Sequence, residues 1–222
     1  MNGSPLRPNA KSYDRSPVRT AARFTLLVFG LCVVACTTPA RAQEDEARRG
    51  LWVSADVGYG SARVSCDTCR RGAPLDGLEG LLGVGGTPSP HVRVGAVLEV
   101  WEHPLGDWET FAAITTITAA LYYYPRIGSG LFLEGGIGRS DYRVVQGLRE
   151  GFLFENAHTP VSGTGWGVTV GLGYDVRVSQ WLSIGPRVAY AHGDVGSLHS
   201  PVHAPVATGW KQNVLTVSVR VI

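Results

Sequence analysis

Lysine is almost missing from this sequence: Lys11 and Lys211 are the two in 222 residues, and methionine occurs once, at Met1. No apolar run reaches the about 20 residues that a membrane-crossing helix needs. The glycine clusters "GVGG" and "GLGY" lack the Lys-Ser/Thr and the strand-to-helix setting of a phosphate loop, so they read as glycines lining a strand face. No second Cys-x-x-Cys accompanies Cys66-Asp67-Thr68-Cys69, which excludes a four-cysteine zinc site, and no βαβ pattern surrounds it to suggest a thioredoxin-type dithiol. No basic stripe marks a nucleic-acid partner.

What is present begins with an export signal. Arg15, Arg19 and Arg23 precede the apolar run Phe24 to Ala35, which ends in small residues and Ala40-Arg41-Ala42. That order predicts a secretory signal over 1–42, cut before Gln43, then a short segment 43–49 and one domain over 50–222. "VVAC", ending at Cys36, offers a rival lipoprotein cleavage, and translation could start downstream of Met1. Removing 1–42 takes six of the 20 lysines and arginines and one of the 18 acidic residues, leaving 14 against 17 and a net charge of −3. The two cysteines left, Cys66 and Cys69, would be oxidised to each other in an exported protein.

From Gly50 onward apolar residues recur at every second position, the period of a two-faced strand. In "WGVTVGLGYDVRV" Trp166, Val168, Val170, Leu172, Tyr174, Val176 and Val178 alternate with Gly167, Thr169, Gly171, Gly173, Asp175 and Arg177. Eight such segments follow one another: 50–64, 77–86, 91–101, 110–124, 130–142, 164–178, 181–191 and 210–222. Short connections follow the even segments and longer ones the odd, the rhythm of an up-and-down meander with turns at one end and loops at the other.

The non-apolar face decides which side is wet. A soluble exterior is typically about 25–35% charged. Here that face is mostly Gly, Ser, Thr and Ala, with Asp56, Glu79, Glu99, Glu134 and Asp175 against Arg93, Arg177, Arg187 and Arg220. It suits the narrow lumen of an eight-stranded barrel, so the valines face lipid, and a lipocalin-like soluble barrel is the lesser reading. Tyr59, Tyr123, Trp166, Tyr174, Trp181, Tyr190 and Trp210, with Tyr122 and Tyr124, fall near strand ends and are expected in the interfacial aromatic girdles. Asp56, Glu134 and Arg187 are expected near mid-height, with Arg93, Asp175, Arg177 and Arg220 near the turn end and Glu79 and Glu99 at the outer rim.

The fold class expected is all-β: an eight-stranded antiparallel up-and-down transmembrane β-barrel. The Gly-rich "DVGYGSARV", the hairpin "YYPRIGSGLFLEGGIGRSDY", "GWGVTVGLGYDVRV" and the alternating last strand resemble small bacterial outer-membrane proteins with an OmpA-like or OmpW-like barrel domain. The resemblance implies an outer-membrane location, insertion by the barrel-insertion machinery and the lipid bilayer as partner. Two departures stand out. Such chains usually end in an aromatic residue, and this one ends in Ile222. Pro186 lies inside the seventh segment, where a local bulge is expected.

No catalytic, cofactor or metal site is expected. His192, Asp194, His199, Ser200 and His203 share the last long connection, but no complete constellation forms. The His-x-Ser spacing of barrel deacylases is absent, because Ser200 directly follows His199. The function expected is structural or surface-contacting and non-enzymatic. An OmpW-like transporter of an unknown small molecule is the alternative, and a lipid-modifying enzyme is less favoured.

Overall fold

The computed structural model describes residues 50–69, 72–106, 110–146, 158–179, 181–200 and 203–222. The expected signal peptide, both cleavage sites and segment 43–49 lie outside them. The strands are β1 (Gly50–Ser65), β2 (Leu75–Ser89), β3 (Val92–Pro104), β4 (Thr110–Tyr123), β5 (Leu131–Gln146), β6 (His158–Tyr174), β7 (Val176–Arg177), β8 (Ser183–Ser200) and β9 (His203–Val221). Every pairing is antiparallel, and all but two join neighbours in sequence. β7 continues β6 past Asp175, β6 and β7 both pair with β8, and β1 pairs with β9. The result is a closed eight-stranded barrel without an edge.

The register fixes the tilt. Leu51 opposes Gly86, which opposes Val94, then Leu121, Gly135, Val170, Tyr190 and Leu215 in turn. Leu215 opposes Ser61, ten residues further along β1 than the start. With standard rise and strand spacing, that shear tilts the strands by about 40° from the barrel axis.

The outer wall is apolar in a band. Leu51, Val53 and Val57 on β1, Leu82 and Val84 on β2, Leu133 and Ile137 on β5, Val170 and Leu172 on β6, and Leu215, Val217 and Val219 on β9 are all exposed. Soluble monomers rarely expose so many large apolar side chains on one surface. It suits the apolar belt about 25 Å tall of a membrane barrel.

Toward the loop end the two faces exchange character. On β9, Val221, Val219, Val217 and Leu215 point outward and are followed by Asn213 and Lys211. Inward, Arg220, Ser218 and Thr216 give way to Val214, Gln212 and Trp210. β5 repeats the change, with Leu133 and Ile137 followed outward by Arg139 and Arg143, and Glu134 followed inward by Ser140 and Tyr142. The barrel therefore projects beyond its apolar belt, and the projecting part is built like a soluble protein, polar outside and apolar within.

Four expectations are corrected here. The last long connection is mostly strand: His192, Asp194, His199 and Ser200 lie on β8, and His203 opens β9. Trp210 is buried inside, its ring 4.6 Å from that of Tyr142, and belongs to no girdle. Tyr122 and Tyr124 also point inward. Pro186 causes no register shift, for it opposes Val219 in unbroken sequence. The ladder instead lapses on its other side, between Gly173↔Arg187 and Val176↔Ile184, where Asp175 leaves the strand to donate to Gly130 O.

Candidate functional site: the charged lumen

Glycine creates the space. The Trp52 ring lies across β2 and β3, where a Cβ on Gly85 or Gly95 would meet its Cζ2 at 2.7 Å. Trp52 Nε1 donates to Gly86 O (3.2 Å), and its ring meets Tyr122 edge-on at 5.5 Å. Phe132 fills the hollow over Gly173. With Leu81, Val97, Ala120, Tyr122 and Tyr124 these rings form an apolar layer in the turn-end half. A second layer, including Trp101, Ile114, Tyr142, Leu198, Trp210 and Val214, fills the loop-end half.

The charges meet between the layers. Arg187, fully buried on β8, donates from Nε to Glu134 Oε2 (2.7 Å) and from Nη2 to Glu134 Oε1 (3.1 Å). Its Nη1 donates to Glu79 Oε1 (3.1 Å), and Glu99 and Asp56 stand 3.6 and 3.8 Å from its nitrogens. Arg220 Nε bonds both oxygens of Asp56 at 3.1 Å, and its Nη2 donates to Tyr122 OH (3.3 Å). Its guanidinium sits 4.7 Å from the centre of the Tyr122 ring and 4.9 Å from that of Phe132. β1, β2, β3, β4, β5, β8 and β9 each contribute a side chain, so the cluster braces the barrel across its bore.

Two guanidiniums face four carboxylates in this cluster. Nearer the turn end lies a separate group: Arg93 Nη1 donates to Tyr124 OH (3.0 Å), Tyr124 OH donates to Asp175 Oδ2 (2.7 Å), and Arg93 and Asp175 are 3.7 Å apart. Among buried oxygens of the described residues, Ser54 Oγ, Thr169 Oγ1, Ser218 Oγ, Glu79 Oε2 and Gln212 Oε1 have no hydrogen-bond partner.

The sequence reading of heights is corrected. Glu79 and Glu99 are not at the rim, and Arg220 is not at the turn end; all three belong to the cluster around Arg187 and Asp56. Shear displaces strand against strand, and a long arginine side chain bridges what remains. Arg177 is exposed on β7 and stands outside both groups. Tyr59, Tyr123, Trp166, Tyr174, Trp181 and Tyr190 lie on the exposed surface. Cys66 and Cys69 sit at disulfide distance, with Cα atoms 5.0 Å apart, in the β1–β2 connection. That connection is tied to β9 by Asp67 N donating to Thr208 O and Thr208 Oγ1 donating to Asp67 Oδ2. Among the described residues no three His, Cys, Asp or Glu side chains are grouped to hold a metal.

No family model and no curated protein matches the sequence. The likeness is to solved structures. Against the crystal structure of Neisserial surface protein A the TM-score is 0.51 at 15% identity, over 77% of this chain and 97% of that one. Against Ail, the attachment invasion locus protein of Yersinia pestis, it is 0.49 at 14% identity, over 77% and 98%. Against the outer membrane protein OprG from Pseudomonas aeruginosa it is 0.40 at 14% identity, over 79% and 97%. The chain has the fold of the small outer-membrane β-barrels.

Proposed function

We propose that the chain is an exported outer-membrane protein whose barrel is a closed, non-conducting post. It holds the loop end above the membrane for structural or surface contacts and does no chemistry. One observation carries this reading: Arg187 is fully buried and ion-paired with carboxylates from four other strands, between two apolar layers. A transporter needs a path, and side chains of seven strands stand in this one. The apolar belt supports lipid on all sides.

The test is fractionation followed by planar-bilayer recording. The protein should be recovered in the outer membrane with Gln43 as its first residue and should show no steady conductance. A new N-terminus at lipidated Cys36 would replace the cleavage proposal. A stable conductance would replace the post with a transporter.

A further inference from the structure

The outward face of β5 changes chemistry within one step. Ile137 is exposed in the apolar belt, and the next outward residues are Arg139, Asp141 and Arg143. Asp141 is buried although it faces outward, because Arg139 and Arg143 flank it on the same face. Its carboxylate accepts from Arg139 Nε at 3.0 and 3.2 Å and from the Thr164 hydroxyl, and Arg143 Nη2 stands 4.0 Å away. Arg139 Nη2 also donates to Thr164 Oγ1 (3.1 Å). Both arginine side chains remain more than half exposed, at 59% and 54%.

Two guanidiniums on one carboxylate leave a net positive charge fixed on the wall. The carboxylate and the Thr164 hydroxyl order Arg139, which removes much of the rotamer entropy that an incoming anion would otherwise have to freeze. The planar fork of arginine matches a phosphate. The setting is interfacial. Trp166 is the cross-strand partner of Arg139, is half exposed, and meets the His192 ring edge-on at 5.8 Å. Beyond it Tyr190 donates to Asn213 Oδ1 (2.7 Å). Aromatic side chains with polar tips collect at the level of lipid headgroups.

We infer that Arg139 and Arg143, ordered by Asp141 and Thr164, bind the phosphate of a lipid headgroup in the leaflet at the loop end of the barrel. The inference rests on the membrane embedding proposed above. Dissolved phosphate offers the same chemistry, but the site stands directly over Ile137 and beside Trp166, where a headgroup attached to acyl chains lies. The lipid is therefore the ligand.

The experiment uses the full exported chain inserted into vesicles of phosphatidylcholine, with and without a minor share of phosphatidic acid. The lipid retained on release is read by native mass spectrometry. Wild-type protein should retain phosphatidic acid in preference to phosphatidylcholine. Losing two charge-assisted contacts should lower that retention by about tenfold or more in Arg139→Gln/Arg143→Gln. Arg177→Gln, at the opposite end of the barrel, should retain as wild type does. Arg139→Lys, which keeps the charge and loses the fork, should fall between them. Equal retention by wild type and the double variant would overturn the site. So would inorganic phosphate displacing the lipid at parity, which would make this a soluble-anion site. Failure of the wild-type chain to enter vesicles would instead overturn the embedding and, with it, the inference.

Discussion

Arg187 shows what one residue does in a lumen this narrow. Its charge is out of water and is held by carboxylates that are themselves out of water. Removing it leaves four buried carboxylates to share Arg220. Breaking a buried pair of this kind typically costs about 3–5 kcal/mol. Arg187→Ala should therefore lower the unfolding midpoint in detergent far more than Val170→Ala, whose methyl groups face lipid that fills the vacated space. Equal midpoints for the two variants would mean that water already reaches the guanidinium. A second residue-scale test concerns the glycine hollows. A Cβ on Gly83 would lie 3.0 Å from the Trp52 ring and 2.7 Å from Ser54 Oγ. Gly83→Val should destabilise, and less so in a Trp52→Leu background. The double-mutant cycle should give a coupling of about 1 kcal/mol, within the range for residues in contact; additive effects would show that the ring is not packed on the glycine.

At the scale of the strand, alternation was legible and its meaning was legible only in part. The eight segments were visible because period two persists from Gly50 to Val221. The reversal of faces was not, because alternation looks the same whichever side is wet. Position near a strand end alone suggests the outer girdle for Trp210. Parity held the signal, since it shares a face with Gln212, Val214, Thr216, Ser218 and Arg220. The heights of Glu79 and Glu99 were beyond reach, because shear is a property of the closed ring and no single strand carries it. The reversal itself is testable on β9. Arginine at a lipid-facing midplane position costs about 2–4 kcal/mol, and near an interface about 0–1. Val217→Arg should fall in the first range and Asn213→Arg in the second, read as shifts of the denaturant midpoint in vesicles. Equal costs would move the membrane boundary past Asn213. The β1–β2 connection is independent of the wall. Cys66→Ser/Cys69→Ser should leave the folded, heat-modifiable band on SDS gels unchanged, because Asp67 and Thr208 still tie that connection to β9. Loss of the folded band would make the bridge part of the barrel's stability.

At the scale of the whole molecule, the barrel combines two kinds of core on one set of strands. Within the belt the core holds the charged cluster and the apolar layer around Trp52 and Phe132, and the outside is apolar; beyond the belt the core is aromatic and aliphatic and the outside charged. An ion crossing the barrel would have to pass the charged cluster and the apolar layer on either side of it, and these obstruct it in different ways. The apolar layer around Trp101, Tyr142 and Trp210 offers no solvation, and the cluster around Arg187 offers fixed charge without free volume, since eight strands leave an interior that side chains just fill. Opening only one should therefore not open the pore. Arg187→Ala, Trp101→Ala with Trp210→Ala, and Trp52→Ala with Phe132→Ala should each remain silent in planar bilayers, because each leaves the other obstructions in place. Folding of each is checked first by the heat-modifiable shift on SDS gels, so that silence from misfolding is not counted. Steady conductance from the wild type, or from Arg187→Ala alone, would show that the aromatic layer is no barrier and that the lumen is a gated path.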